Sequence, residues 1–535
     1  MPTTVFRNAS LFDGFRHRGR VGDVLVQDGR VAAVGGDLGQ PGARVVDVDG
    51  GLLLPGFTDA HVHPVQGGLE RLGCDLSDLP ADAGAYLEHV GAYAARSSST
   101  WVQRGGWAMA AFPGGLPTAA ELDRVVGDRP VALANRDHHG LWVSSRALAL
   151  AGVTAGTPDP VDGRVERDAA GEPTGVLHEG AMRLLDGVLP VAGEQEMYDA
   201  LLEGQRHLLS LGVTSWQDAI VGSYSGMRDC GPAYARAAAS GDLVATVVGA
   251  LWWDRDRGSE QVAELVAKRQ DWSRGRFRAT SVKVMQDGVA ENGTAALVEP
   301  YLDRCGHATS NSGLSFVDPV ALRGHVAELD RQGFQVHVHG LGDRGVREAL
   351  DAFEGTDPRR RHHVAHLQLV HPDDVWRFAA LGVAANLQTL WACHDDQMTE
   401  LTIPFLGEER AARQYPFADL HAAGARLVAG SDWPVSTPDP LAALHAAVHR
   451  TTHGDAGRAG TDPFLPEQAL PVETAFAAYT SGSAWVNHRD DAGRVAPGTV
   501  ADLVVLDRDP FGAPEDLGAA RVRSTWVDGE CVHEA

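Results

Sequence analysis

The chain has 535 residues, 44% of them hydrophobic, and a formal net charge of −25. That length holds a large core and more than one domain. The acidic balance, without a basic cluster, excludes nucleic acid and anionic membranes as partners, and no run reaches the ~18 consecutive apolar residues of a membrane-spanning helix.

The opening segment, MPTTVFRNASLFDGF, lacks a basic stretch followed by an apolar one, so no secretory leader is expected. Five scattered cysteines (Cys74, Cys230, Cys305, Cys393, Cys531) form no CxxC pair. They predict neither a disulfide framework nor a cysteine-rich zinc site, and fit a reducing, cytoplasmic setting. Only two lysines occur, Lys268 and Lys283, among many arginines.

The first ~55 residues read as short strands and tight turns. DVLVQDGRVAAVG places Asp28-Gly29 between two apolar runs, a hairpin signal, and ARVVDVDGGLLLPG adds a strand. The last ~45 residues repeat this style in ADLVVLDRDPF and in VRSTWVDGECV, a hairpin around Asp528-Gly529. Neither end carries enough apolar residues to fold alone. Residues 1–56 and 489–535 are therefore expected to pair into one small β-sandwich.

Residues 57–488 alternate strands and helices. Eight short apolar strands stand out: TDAHVH, VTSWQDA, VATVVGALWW, SVKVMQDG, QVHVHG, HVAHLQ, VAANLQT and RLVAGSDW. Before the fifth, Asp318 can cap and Pro319 can start a helix, with Leu322, Val326 and Leu329 on one face. After the sixth, Pro372-Asp373-Asp374 opens a helix carrying Val375, Phe378 and Leu381. Eight β/α units predict an α/β fold, a closed parallel (β/α)₈ TIM-like barrel; a doubly wound open sheet is the alternative. The gap between the first two strands is too long for a loop, so residues ~65–205 must hold an inserted subdomain. It is expected to form one wall of the site.

Active sites of (β/α)₈ barrels lie at the C-terminal strand ends. The first strand ends in His61-Val62-His63, whose period-2 spacing puts both imidazoles on one face. The fifth carries His337 and His339, the sixth His362, His363 and His366, and the eighth ends at Asp432. Three histidine-bearing strands and one strand-end aspartate make a ligand set for zinc or a similar divalent ion. Lys283, inside an apolar strand, requires a reason to be buried. It pairs either with Asp287 or Asp432, or it carries a carbamate that bridges metals.

LLLPGFTDAHVHP, RDHHGLWVSSRALALAGV, DAAGEPTGVLHEGA, VKVMQDG, HVHGLGD, HHVAHLQ, AGSDWPV and ADLVVLD recur here in the order of a known family. On these motifs the chain resembles the amidohydrolase superfamily, in its YtcJ-like branch (amidohydrolase 3), which includes N-substituted formamide deformylase. The resemblance implies a metal-dependent hydrolase cleaving a non-peptide C–N bond of amide, N-formyl or N-acyl amine type. Cyclic amides, carbamates, esters and ring deamination are the alternatives, and a non-catalytic scaffold is the remote one. It implies that His61 and His63 bind the more buried ion, that His339 and His366 hold a second, and that Lys283 bridges them as a carbamate. Asp432 would touch the first ion and shuttle the proton between a metal-activated water and the leaving nitrogen. One or two ions, zinc foremost, fit this set. Relatives often carry Glu just before the sixth-strand histidine, where this chain has Ala365. The substrate is a small molecule, and a homo-oligomer is in keeping with the superfamily.

His139, Trp107, Trp391 and Trp433 are the candidate substrate contacts, since aromatic walls suit apolar groups. Trp142, Trp252, Trp253, His138, His178 and Glu179 are further candidates. The stretch VAENGTAALVEPYLDRCGHATSNSG after Lys283 reads as a lid or a surface connection.

Overall fold

The computed structural model describes residues 3–77, 79–224, 227–453 and 462–535. All eight anticipated barrel strands are present: Phe57–Val62, Val213–Val221, Thr246–Trp252, Phe277–Met285, Gln335–Gly340, His363–His366, Ala384–Leu387 and Arg426–Ala429. Each pairs in parallel with the next in chain order. A doubly wound sheet would reverse direction at a switch point; this one does not. Its first and last strands meet beyond their ends. Asp432 N–H donates to His61 O at 2.8 Å, and His63 N–H donates to Trp433 O at 2.8 Å. Asn386 Nδ2 adds a bond to Ala60 O at 3.0 Å.

The helix Pro319–Arg331 begins as predicted, with the Asp318 carboxylate accepting from Val320 and Ala321 N–H. The segment after the sixth strand differs. It forms two short helices, Pro372–Val375 and Arg377–Leu381, broken at Trp376, which lies mostly in solvent. Phe378 alone of the second helix is fully buried, so little apolar burial holds the two in register.

Between the first two barrel strands lies a separate mixed sheet. Its strands are ordered Gly163–Arg167, Pro173–Glu179, Gly140–Val143, Val131–Asn135, Val102–Trp107 and Cys74–Asp75. It has its own core of Tyr86, Val90, Trp107, Phe112, Leu122, Leu133 and Trp142. The helix Pro64–Arg71 leads out to it and Glu194–Ser210 leads back, packed closely together. Gly68 and Gly204 permit this approach: a Cβ on Gly68 would sit 1.9 Å from Ala200 O, and one on Gly204 2.2 Å from Pro64 O.

The chain ends meet as the hairpin signals suggest. Asp28 and Gly29 hold φ of 49° and 75°, and Asp528 and Gly529 hold 49° and 73°, the left-handed pair a two-residue hairpin needs. Leu52–Pro55 runs antiparallel to Leu503–Leu506, joining the two ends in one continuous hydrogen-bonded sheet. Thr4–Phe12 pairs with three partners, tying all the strands of this sheet together. Phe6 against Trp526, 5.0 Å between ring centroids, anchors its core. Among the described residues no disulfide joins the cysteines. Among the described residues no helix is long and apolar enough to cross a membrane.

Candidate active site

The parallel register brings the histidines together at one end of the barrel. Lys283 lies beside His337, Met285 beside His339, and Gly340 beside His366 on neighbouring strands. His61, His366 and Asp432 present ligand atoms all within 4.8 Å of one another. Asp432 Oδ1 lies 2.9 Å from His63 Nε2 and 3.2 Å from His61 Nε2. His339 and His366 rings are 4.3 Å apart. Lys283 Nζ is 3.4 Å from His61 Nε2. Among the described residues Lys283 forms neither expected ion pair: Asp287 is engaged by His339 and backbone amides, and Asp432 acts on the lysine only electrostatically.

A layer of polar groups beneath fixes these rings. His337 Nε2 meets His61 Nδ1 at 2.9 Å, while its Nδ1 meets Gln217 Oε1 at 2.7 Å. The same Gln217 oxygen lies 3.0 Å from His363 Nε2, so His363 packs below the site. His362 turns outward to Asp330 at 3.3 Å. Asp287 sits 3.1 Å from His339 Nδ1 and accepts backbone N–H bonds from Leu341, Gly342 and Ala296. Asp59 accepts from His61 N–H and from Ser431 N–H and Oγ–H, stitching the first strand to the eighth. Orienting partners of this kind set the tautomer and direction of a ligating histidine. Gln217 carried no motif signal. Asp59 stood in LLLPGFTDAHVHP and Asp287 in VKVMQDG, and their roles became visible only with the fold.

Burial decides the charge states. It pushes His61 down to about 3, helped by Lys283, and drives His339 and His366 well below the ordinary histidine range. It pushes Lys283 down to about 7 and raises Asp59 and Asp287 to about 7. Burial also opposes the charge of Asp432, but His61 and His63 outweigh it and hold the carboxyl well below its usual range. His366 and Asp432 hold left-handed backbone, with φ of 82° and 57°. Such strain costs about 1–3 kcal/mol per residue and is tolerated where the surroundings fix it.

These residues fit a divalent metal. Both ring nitrogens of His366 and Nδ1 of His63 are buried without a hydrogen-bond partner. Native structures rarely leave buried polar atoms so. Neutral imidazoles grouped around one ionised carboxylate are the donor set of zinc-type ions.

The inserted sheet places a second pair above the cluster. Gly140 pairs with His178 in register, and Glu179 N–H donates to His139 O, so His139 and Glu179 lie side by side across two strands. Both Glu179 oxygens are 2.9 Å from His139 Nδ1, and Thr294 Oγ–H donates to one of them at 2.9 Å. The His139 ring stands 6.1 Å from that of His339. Burial alone would lower His139, but the Glu179 carboxylate outweighs it and pushes the imidazole up to about 9. His178, on the other face of its strand, turns to Glu166 at 3.1 Å. His138 pairs with buried Glu70 at 3.3 Å.

The tryptophans divide. Trp391 stacks on His366, with 5.3 Å between centroids and 2° between planes. Trp107 lies away from the cluster, fully buried in the core of the inserted sheet, its indole N–H on Leu133 O. Trp142 is likewise core, bonded to Thr118 O. Trp433 is wedged between the helix at Gly67, where a Cβ would lie 2.5 Å from its ring, and His207. Trp253 packs on His325, and Trp252 on Tyr224. Trp107→Ala is accordingly expected to cost about 3–5 kcal/mol of stability as a cavity mutant, read by denaturant unfolding, with KM unchanged. The stretch after Lys283 is no free lid. Its first half buries Val289, Ala290, Ala295, Ala296, Leu297 and Tyr301, and Asp343 accepts from Val298 N–H.

A model described as the amidohydrolase family matches residues 44–533. The chain belongs to that family. It is 28% identical over 524 residues to a putative amidohydrolase YtcJ of Bacillus subtilis (strain 168), covering 96% of each chain. It is 28% identical over 542 residues to an N-substituted formamide deformylase of Arthrobacter pascens, covering 96% of this chain and 94% of that one. Among solved structures, an uncharacterized metal-dependent hydrolase from Pyrococcus horikoshii OT3 matches with a TM-score of 0.73 at 25% identity, covering 96% of this chain and 99% of that one. This amidohydrolase is thus a metal-dependent hydrolase, with its His and Asp cluster at the barrel position where such enzymes act.

Proposed function

We infer that this amidohydrolase cleaves the C–N bond of an N-formyl or other N-acyl amine. The observation that carries this reading is the cluster of His61, His366 and Asp432, with Lys283 beneath and His139 facing it from the inserted sheet. A full-length relative named as an N-substituted formamide deformylase supports the substrate class.

His61, His63 and Asp432 would hold an inner ion, His339 and His366 an outer one, and Lys283, as a carbamate, both. Such ions, zinc foremost, supply an acidified water and a Lewis-acid contact for a carbonyl oxygen. The chain's residues do the rest. Asp432, kept ionised between two imidazoles, accepts the proton of the attacking water and returns it to the leaving nitrogen. Glu179 fixes the His139 ring, which contacts the acyl group from the side opposite the histidine cluster. The Trp391 face receives an apolar N-substituent. Asp287, Gln217 and Asp59 hold the ligands rigid. Residues 57–488 form the catalytic barrel in this reading, and 65–205 its inserted wall.

The test is elemental analysis of protein purified without added metal or chelator, followed by a panel of amides. Two ions per chain and turnover of N-formyl or N-acyl amines are expected. A loaded enzyme that acts only on cyclic amides, carbamates or esters would reassign the substrate. A chain that takes up no zinc or manganese would overturn the mechanism.

A further inference from the structure

A second group of histidines lies away from the barrel mouth. The helix Pro440–His449 follows the eighth strand and carries His445 and His449 four residues apart, on one face. His453 continues the same spacing just beyond it. The His445 ring lies 4.6 Å from that of His449 and 5.2 Å from that of His453. The ligand atoms of His61, His366 and Asp432 all lie within 4.8 Å of one another; those of this second group are less tightly gathered, and an ion would draw the exposed His453 inward. The helix of a β/α unit runs back from the catalytic end. His449, at its last residue, therefore faces the other end of the barrel.

The surroundings leave nitrogen lone pairs free for a ligand. His449 Nε2 lies 2.9 Å from Pro514 O. A carbonyl only accepts, so Nε2 carries the proton and Nδ1 is left as a lone pair. That is how a ligating imidazole is usually braced. In His445, Nε2 lies 3.4 Å from Thr451 Oγ1, a hydroxyl that can accept an Nε2–H, while Nδ1 is buried with no partner, in a residue only 8% exposed. Its burial, with His449 and His453 beside it, pushes it down to about 4, so the ring is neutral. Room for His453 is built in. A Cβ on Gly518 would lie 2.3 Å from its Cγ, so glycine lets the ring pack on that backbone.

We propose that His445, His449 and His453 form a second metal site, for a late first-row divalent ion such as Zn²⁺, Ni²⁺ or Cu²⁺. Three imidazoles without a carboxylate suit these ions over Mg²⁺ or Ca²⁺. The bound ion clamps the barrel helix to the segment Pro514–Ala519, which leads into the strand Val522–Val527 of the terminal sheet. Its role is structural, and it is independent of the hydrolytic site.

The holoenzyme is dialysed against Zn²⁺ and its metal counted, in wild type and in the double variant His449→Gln, His453→Gln. His449 is half-buried and His453 exposed, so the fold tolerates both changes. The wild type is expected to saturate with one more equivalent than the variant, and zinc should raise its thermal midpoint further than the variant's, which gains from the barrel site alone. Turnover should be equal in both. His61→Ala should lose barrel metal and keep the extra equivalent. Equal uptake by wild type and double variant overturns the proposal, as does extra uptake that never saturates at one equivalent. If the double variant proves unstable, His453→Gln alone supplies the same comparison, with a weakened extra site expected and an unchanged one decisive against it.

Discussion

Asp432→Asn is expected to lower kcat by about 10²–10⁴-fold, the range of a lost general acid–base group, while metal content stays at the wild-type value. Asparagine has nearly the shape of aspartate and tolerates left-handed backbone, here φ 57°. Its amide oxygen can still meet the His61 and His63 nitrogens that Asp432 Oδ1 meets at 3.2 and 2.9 Å. What it cannot do is take a proton. A variant that keeps its metal and loses turnover therefore separates proton transfer from ligation. One that keeps both would remove the shuttle role. One that loses metal first would make Asp432 chiefly a ligand. Single-turnover kinetics with a formamide, run beside elemental analysis, decides among the three.

Much of this architecture was legible in the sequence, for identifiable reasons. The barrel strands are short apolar runs, and parallel strands buried on both faces read that way. His61 and His63, two apart, had to share a face, and so did His337 and His339. The two Asp-Gly turns declared their hairpins through residues that accept positive φ. Contacts that exist only after closure were not legible. Asp59 looks like any strand residue until Ser431, 372 positions away, arrives to bond it. Gln217 gains meaning only when the fifth and sixth strands bring His337 and His363 to the same oxygen. Tryptophan content was the weakest guide. Composition cannot say which face of an inserted sheet is core, and Trp107 and Trp142 fill that core while Trp391 faces the histidines. The partnership of His139 with Glu179 was half visible. RDHHG and VLHEGA were both singled out, but only the strand register makes them neighbours and turns His178 away.

Lys283→Ala is expected to remove at least one ion per chain and to lower turnover on the order of 10³-fold, since an ion contributes several kcal/mol of charge stabilisation. Lys283 is fully enclosed, with His61 as its hydrogen-bonding neighbour and Asp287 committed to His339 and three backbone amides. A buried ammonium without a carboxylate beside it is costly, and burial correspondingly pushes this amine down to about 7. The neutral amine is the form that adds CO₂: a nitrogen–carbon bond forms, a proton leaves, and a carboxylate stands where an ammonium would be. That exchange would give the cluster of neutral imidazoles a second anion beside Asp432, as two divalent ions would require. Protein loaded in ¹³C-bicarbonate should show one carbamate carbon signal, absent from Lys283→Ala. Short carboxylic acids such as acetate or propionate should restore part of the metal and of the activity to the variant by filling the vacated space. A variant that retains two ions would show that Lys283 does not bridge them. Loss of turnover with both ions retained would place the lysine on the substrate instead.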